Sequence, residues 1–270
     1  MNDLWMRQCS FSCGGTFESP LTIKFRVPFS DDENTNDAEI EVYNLKNTSF
    51  AAQTPAILNA GYKSSSGVIF TGELREAKTK WQGADKVTTF LCTDAPADYL
   101  QKDFKKNYTK GTPASTIISD IAGFAGIGIG DLSLPVDFIY RTGKTVHGKP
   151  KTLLTALAKD CKAKMHVTQG RLYMREKNQG TPMGLNISKE TGLIDHPEEI
   201  SNEVENAQSK KKIVRTGYKV KMLLNHNVKT DVIINLTSKT ASGTFRVEKG
   251  EHTGDTSGNE WFTVCEVFPL

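Results

Sequence analysis

The sequence lacks a strong net charge. Its 34 lysines and arginines nearly balance 31 aspartates and glutamates, which leaves a formal charge of +3 over 270 residues. A protein that holds nucleic acid through its phosphates needs a clear excess of cationic side chains. We therefore expect neither nucleic-acid specificity nor another polyanionic partner.

Long apolar runs are also missing. Residues 1–7 include Asp3 and Arg7 and do not form the apolar stretch of a secretion signal. The most apolar segment, residues 114–136, contains two aspartates and four glycines, unlike a helix that spans a bilayer. We expect a chain made in the cytoplasm, without membrane anchoring.

Cysteine is scarce, and its five residues are scattered along the chain at Cys9, Cys13, Cys92, Cys161 and Cys265. This odd number and wide spacing argue against a disulfide framework and favour reduced thiols. Cys161 has His166 five residues further on, but it falls on the apolar face of a predicted helix, where burial makes a thiol unreactive. We expect Cys161, like Cys9 and Cys13, to be a packing residue.

Motifs that carry chemistry are incomplete. Gly143-Lys144-Thr145 lacks the glycine that a phosphate-binding loop needs five residues earlier, where Phe138 stands, so Lys144 is expected to be a solvated loop residue. The glycine-rich run 123–130 follows a predicted helix and indicates a helix cap and turn. The acidic run 31–37 lacks the pattern of a calcium loop and indicates a solvated loop. The histidines show no zinc-type spacing, so we predict no catalytic, cofactor-binding or metal-binding residues.

Alternating apolar residues predict strands in the first third of the chain. Leu21, Ile23, Phe25 and Val27 alternate with polar residues, and Ile40 and Val42 are expected to point inward on a second strand after a long acidic loop. Further strands are predicted at residues 57–62, 68–75 and 87–93. This run of short strands without a helix indicates a small β barrel over residues 1–96.

The pattern then changes. Thr112-Pro113 precedes a helical periodicity that ends near Gly126, a second helix is predicted from Pro150 to Cys161, and a hairpin turns at Gln169-Gly170. These elements predict an α+β unit over residues 97–188. Strands return at residues 218–224, 231–236, 244–249 and 260–267, which indicates a second β region over residues 189–270. The predicted fold class is α+β, mainly β, with two β barrels flanking a small α+β insert.

Four segments of the last region carry a family resemblance: residues 191–197, 217–225, 243–255 and 259–263. They resemble the late-control or baseplate hub family of bacteriophage tail proteins, and the resemblance extends over nearly the whole chain. The positions that carry it are expected to be structural: Gly192, Leu193, Gly217, Leu223, Leu224, Asn225, His252, Gly254, Asp255 and Trp261.

The resemblance implies two tail-tube-like β-barrel domains in each chain. Three copies would then present six tube-like domains, and this trimeric ring would join a six-fold tail tube or distal tail protein to a three-fold spike or tip protein. It implies a structural protein of the virion tail, assembled in the host cytoplasm, rather than an enzyme. No hydrolase domain is expected after Leu270.

Two other functions stay open. Tail tips often house cell-wall hydrolases, but a hydrolase needs a pair of carboxylates, a metal site or a Cys/His site, and the sequence offers none of these. A carbohydrate-binding tip module would need exposed aromatic residues, for which Tyr43, Tyr62 and Trp81 are candidates. These three residues are more often part of a barrel core.

Overall fold

The computed structural model describes residues 6–32, 34–46, 49–205 and 212–270, without the side chains of residues 204, 205, 212 and 213. The chain is mainly β, as predicted. Its first region consists of seven strands: β1 Arg7–Cys13, β2 Thr16–Glu18, β3 Ile23–Ser30, β4 Asp37–Tyr43, β5 Pro55–Tyr62, β6 Ser65–Gln82 and β7 Asp85–Thr93. Ile40 and Val42 are fully buried on β4, so the inward face was predicted correctly. β1 was not predicted, because small and polar residues occupy most of it.

The middle region mixes short strands with three helices. Its elements are α1 Ala97–Gln101, β8 Phe104–Tyr108, β9 Thr112–Pro113, α2 Ala114–Phe124, β10 Gly128–Leu132, β11 Ile139–Tyr140, β12 Lys144–Gly148, α3 Pro150–Asp160, β13 Lys164–Thr168 and β14 Arg171–Arg175. Gly126 adopts a left-handed φ of 69° just after α2, and the N–H of Ile127 donates to the Ala122 carbonyl oxygen. The predicted cap and turn in the glycine-rich run is therefore present.

The last region returns to β structure. It contains β15 Thr181–Ser188, a 3₁₀ helix at Lys189–Thr191, β16 Glu198–Glu205, β17 Lys212–Leu223, β18 Val232–Thr237, β19 Ser242–Asp255 and β20 Trp261–Pro269. β15 pairs with β18 in parallel. This strand, placed with the middle unit by the sequence interpretation, therefore lies in the sheet of the last region.

The two β regions share one sheet of 13 strands. The link between them is β3, which pairs antiparallel with β19 from Lys24 opposite Asp255 to Ser30 opposite Lys249. The sequence analysis expected two barrels. Within the described residues, the hydrogen-bonded path instead runs from β16 to β2 without closing on itself.

The sheet contains the same strand order twice. Its first repeat, β3-β4-β7-β6-β5, matches its second repeat, β16-β17-β20-β19-β18, strand for strand. Both repeats also carry an irregularity at the matching place: between Leu74 and Glu76 where β6 pairs with β7, and between Val247 and Lys249 where β19 pairs with β20. A shared bulge fixes the register in which the two repeats correspond.

Three apolar clusters support this arrangement. The cluster of the first repeat includes Leu224 and Trp261 from the second, and the cluster of the second repeat includes Phe29 from β3. The third cluster draws only on residues 95–174 and packs α2 and α3 against β13 and β14. The two repeats therefore exchange core side chains, whereas the middle region has a core of its own.

Candidate assembly surface

The junction of β3 and β19 depends on two glycines. A Cβ atom on Gly254 would lie 2.2 Å from the ring of Phe25, and one on Gly250 would lie 2.5 Å from the ring of Phe29. Both aromatic rings are buried. Glycine at these two positions of β19 lets the large side chains of β3 lie directly over the neighbouring backbone.

Trp261 completes the packing at this junction. Its buried ring meets the Phe25 ring edge to face at a centroid distance of 5.4 Å, and the Arg7 guanidinium lies 5.4 Å from the indole centroid. Arg7 also donates to the carbonyl oxygens of Asp255 and Gly258. Strand β1 is thereby fixed to the loop between β19 and β20.

His252 is the polar residue inside the junction. Its Nδ1 lies 2.8 Å from the Thr263 hydroxyl oxygen, and its ring packs on Phe29 at 4.9 Å. Burial lowers the pKa of His252 to about 3, with the nearby Lys229 cation acting in the same direction. The imidazole is therefore neutral at physiological pH and serves to join two strands.

The remaining signature positions surround the same strands. Gly192 has a φ of 106° at the end of the 3₁₀ helix, and the next residue, Leu193, bridges to Met222. A Cβ on Gly217 would lie 2.4 Å from the Val267 carbonyl oxygen. These residues shape the backbone where β17 meets β20 and where the chain enters the second repeat.

Leu223 ends β17, and Leu224 and Asn225 follow it. Leu224 is buried in the core of the first repeat and Leu223 packs against it, while the backbone N–H of Asn225 donates to the Thr263 hydroxyl. The carboxylate of Asp255 lies 3.3 Å from the Lys24 ammonium across the junction. All ten signature positions therefore lie in the second repeat or the chain that enters it.

The outward face of this junction is concave and carries both signs of charge. It borders an open cleft of about 830 Å³. Arg26 pairs with Glu251 at 2.6 Å and Lys249 with Glu266 at 3.1 Å. Because opposite charges neutralise each other here, the face does not attract ligands of one charge.

Several strand edges of the sheet, those of β2 and β15 among them, have no neighbour among the described residues. β16 pairs only with β17, and the half of β6 from Arg75 to Gln82 pairs only with β7. The β16 edge is acidic, with Glu198, Glu199 and Glu203, whereas the β6 half carries Arg75, Lys78 and Lys80 beside a single acid, Glu76, which pairs with Lys78 at 2.6 Å. Trp81, near the end of β6, is 73% exposed. An exposed edge and an exposed tryptophan are features of protein contact surfaces.

A buried ion cluster joins the middle region to the sheet. The Arg246 Nη2 contacts carboxylate oxygens of both Asp31, at 2.6 Å, and Asp231, and the Arg175 Nη2 contacts Asp231 at 2.8 Å. Lys164 of β13 pairs with Asp31. The prediction that Asp31 belongs to a solvated loop is wrong, because the cluster buries it against two cations.

His166 lies at the edge of this cluster rather than beside a nucleophile. Its Nε2 is 3.4 Å from an Asp231 carboxylate oxygen and its ring stacks on Tyr173 at 5.1 Å. Burial lowers the pKa of His166 to about 4, against the opposing effect of Asp231.

Cys161 is fully buried in the middle core, and burial raises the pKa of its thiol. The prediction that Cys161 is a packing residue is consistent with this position.

Lys144 is not the solvated loop residue that the sequence predicted. It begins β12, its Nζ lies 3.1 Å from an Asp160 carboxylate oxygen, and it stands 3.9 Å from the centroid of the Tyr140 ring. The Tyr140 hydroxyl donates to the same carboxylate. Lys144 therefore helps to hold the end of α3 against β11 and β12.

The remaining candidate chemistry was compared with the geometry of the described residues. In the described part of the chain, no three His, Cys, Asp or Glu residues are grouped as metal ligands, and all five cysteines are free thiols. No described helix has the length and apolar character to cross a membrane. Of the three aromatic candidates for sugar binding, Tyr62 is buried and Tyr43 lies beside Lys24, so Trp81 alone is widely exposed.

Comparisons with known proteins find matches in structure but none by family model or among curated proteins. A tail protein from Neisseria meningitidis MC58 superimposes with a TM-score of 0.67 at 8% identity, covering 98% of this chain and 97% of that one. The 43 kDa tail protein of prophage MuSo2 from Shewanella oneidensis gives a TM-score of 0.65 at 10% identity, covering 97% of both chains.

This protein has the fold of a phage tail protein. The same tail-protein fold occurs in the Escherichia coli c3393 protein, a type VI secretion component described as similar to the T4 tail proteins gp27 and gp5. That match has a TM-score of 0.63 at 8% identity and covers 96% of this chain and 76% of the other. The resemblance inferred from the sequence is therefore confirmed at the level of the fold.

Sequence reasoning missed two features of the structure, one buried and one exposed. The ion cluster joins residues far apart in the chain, and its only local signal was Arg246, a cation between Phe245 and Val247 in a strand. The open half of β6 was not predicted because the strand was expected to end at Arg75. Its alternation continues through Ala77 and Thr79, but small and polar residues hide it.

Proposed function

We propose that this protein is a non-enzymatic hub of a phage tail, which joins the six-fold tail tube to a three-fold spike or tail tip as a ring of three copies. The observation that carries the proposal is the repeated strand order within one sheet. The tail-protein fold of the solved structures supports the same role.

The repeat supplies what a symmetry adaptor needs. A chain with two equivalent strand units offers two similar surfaces, so three chains can meet a six-fold partner while keeping three-fold symmetry for another partner. The junction of β3 and β19 fixes the two units relative to each other through exchanged core residues such as Phe29 and Trp261. A rigid pair of units is required if both are to meet the tube at once.

The partners that fit this role are other tail proteins: the tail tube or distal tail protein on one side and the spike or tip protein on the other. The separate apolar core of the middle region suggests which parts of the chain would form the ring. The two β regions, near residues 1–96 and 189–270, would form the ring as tube-like domains together with β15, and the rest of the α+β unit near residues 97–188 would project from it. The virion tail is the location that this assembly implies.

The ring is tested by its mass and symmetry. Light scattering over a range of concentrations is expected to give three times the 29.8 kDa chain mass, and cryo-electron microscopy is expected to show six similar lobes around a three-fold axis. A chain that stays monomeric at every concentration, or a ring without six similar lobes, contradicts the proposal.

The non-enzymatic part has its own test. Burial raises the pKa of the thiols of Cys92 and Cys265 to about 12, which suits packing rather than nucleophilic attack. We expect no band when the purified protein is run on a peptidoglycan zymogram. A reproducible band that a point mutation abolishes would favour the cell-wall hydrolase instead.

A further inference from the structure

The two repeats correspond residue by residue because their hydrogen-bond registers share a bulge. Counting from that bulge, Thr79 on β6 is equivalent to His252 on β19, and Thr88 on β7 is equivalent to Thr263 on β20. Both cross-strand pairs are hydrogen bonded, at 3.0 Å and 2.8 Å respectively. The same polar contact therefore recurs at the same place in both repeats.

The repeats differ in what covers this strand. In the second repeat, β3 pairs with β19 from Lys249 to Asp255. The equivalent half of β6, Arg75 to Gln82, has no strand on that side among the described residues. The strand equivalent to β3 is β16, which lies at the end of the sheet and has one edge open.

We infer that the open half of β6 in one copy pairs antiparallel with β16 of the next copy, repeating between chains the junction that β19 and β3 form within the chain. The inference rests on the ring proposed above and names the contact that closes it. Each copy gives one edge and receives another, which is the head-to-tail contact that a closed ring requires. The pairing also covers two of the strand edges that the single chain leaves open.

Charge supports this pairing. Carried over from the junction of β3 and β19, the register places Lys80 opposite Glu198 and Lys78 opposite Ile200. Within the chain, Arg26 of β3 reaches diagonally to Glu251 of β19 at 2.6 Å. The equivalent positions between copies are Glu198 and Lys78, so the same diagonal contact would form with its charges exchanged.

Side-chain size gives an independent argument. At the junction within the chain, Phe25 of β3 lies over Gly254 of β19. The equivalent residues between copies are Pro197 beside β16 and Trp81 on β6. Gly254 on β19 thus corresponds to Trp81 on β6, and Phe25 on β3 corresponds to the smaller Pro197. Trp81, exposed in the single chain, would thus be covered by the neighbour.

Disulfide trapping tests the register directly. We expect the double variant Lys80→Cys with Glu198→Cys to form covalent multimers up to the trimer under mild oxidation on a non-reducing gel. The matched control, Lys80→Cys with Asn202→Cys, moves the second thiol four residues along β16, about 13 Å away, and is expected to give no more cross-link than either single variant. Equal cross-linking by both pairs overturns the inferred register.

A charge exchange provides a second measurement that does not depend on oxidation. Lys80→Glu and Glu198→Lys are each expected to weaken assembly at least tenfold in light scattering, and the double variant is expected to recover most of the loss. Far-ultraviolet circular dichroism checks that each variant folds. Single variants that assemble like the parent, or a double variant no better than either, count against the pairing.

The outcomes separate the two proposals. A trimer by light scattering that does not cross-link through positions 80 and 198 leaves the ring standing and overturns the β6–β16 contact. A chain that remains monomeric throughout overturns the ring, and the contact fails with it. A cross-linked trimer that forms with Lys80→Cys and Glu198→Cys, but not with the control pair, supports both proposals.

Discussion

Strands β19 and β6 occupy equivalent places in the two repeats and have the same bulge and the same cross-strand hydrogen bond. They differ in one respect: β3 covers one edge of β19, whereas the equivalent edge of β6 is open. On β19 the junction positions are Gly250, His252 and Gly254, which lie under the aromatic rings of β3 or beside them. On β6 the equivalent positions are Ala77, Thr79 and Trp81. The two strands therefore have the same backbone geometry, and their side chains differ according to whether a neighbouring strand covers them.

This difference shows that the neighbour, rather than the strand itself, decides which residue is tolerated. Gly254 has no room for a side chain, whereas Trp81 at the matching position is open to solvent in the single chain. Substitutions at matched positions should therefore have unequal effects on stability, and the size of the inequality measures how much the covering strand contributes.

The largest contrast is expected at the pair Arg246 and Glu73. Arg246→Met leaves Asp31 and Asp231 buried with fewer cationic partners, and we expect it to lower the free energy of unfolding by about 3–5 kcal/mol. Glu73, at the matching position of β6, accepts a hydrogen bond from the Ala97 N–H at 3.2 Å. Glu73→Gln keeps an acceptor there and should cost less than about 1 kcal/mol.

Urea unfolding of the two variants beside the parent measures this contrast. The readout should follow both tryptophan fluorescence and circular dichroism, since the cluster joins the middle region to the sheet and separate transitions are possible after its loss. Equal losses for the two variants would mean that the cluster contributes no more than an ordinary surface contact.

A second contrast concerns steric room. Gly254→Ala places a methyl group against the Phe25 ring, and overpacking of this kind should cost about 1–3 kcal/mol. Trp81→Ala removes an exposed side chain and should change the stability of the single chain by less than about 0.5 kcal/mol. The check is the urea midpoint of both variants at a concentration where the protein is monomeric; a larger loss for Trp81→Ala would reverse the comparison.

The sequence predicted those parts of the fold that depend on local patterns. Ile40 and Val42 show their buried face by alternation, and Pro150 marks the start of α3 because proline suits the first turn of a helix. The joining of the two β regions could not be predicted in this way. It depends on Phe25 and Gly254, which are far apart in the chain, and no local pattern shows that one lies over the other.

The candidate surface was predicted only in part. The signature residues around His252 and Trp261 were found through resemblance, and the structure explains them by packing at one junction. The partnership of Asp31 with Arg246 was missed, because an aspartate in a polar run has the same local pattern whether it is solvated or buried. The two residues are 215 positions apart, so no local pattern records their contact.

A third contrast is a dependence on pH. The folded protein keeps His252 neutral down to a pKa of about 3, whereas the unfolded chain takes up a proton near 6.5, so acid favours unfolding below pH 6.5. Between pH 7.5 and 5.0 this one residue should reduce the free energy of unfolding by about 2 kcal/mol. His252→Thr, which copies Thr79, removes that loss.

The measurement compares urea unfolding of parent and His252→Thr at both pH values. The variant loses the ring contact with Phe29 and is expected to be less stable at pH 7.5, but the gap should narrow by about 2 kcal/mol at pH 5.0. His147→Gln, which replaces an exposed histidine on β12, is the control variant measured beside it. A gap that stays constant with pH would show that His252 does not carry the dependence.

The smallest effect is expected at Thr88, the partner of Thr79 beside the open edge. The Thr88 side chain is fully buried and its hydroxyl oxygen lies 3.0 Å from that of Thr79. Thr88→Val removes this hydrogen bond, but Thr79 can turn its hydroxyl to solvent at the open edge, so the loss should be about 0.5–1 kcal/mol in the single chain. Thr88→Ser keeps the hydroxyl and is the control for the bond.

If β16 of another copy covers this edge, Thr79 loses access to water on assembly and the cost of Thr88→Val should rise. A thermal unfolding series from dilute to concentrated protein measures the change, and a cost independent of concentration while the mass changes would show that the edge stays open.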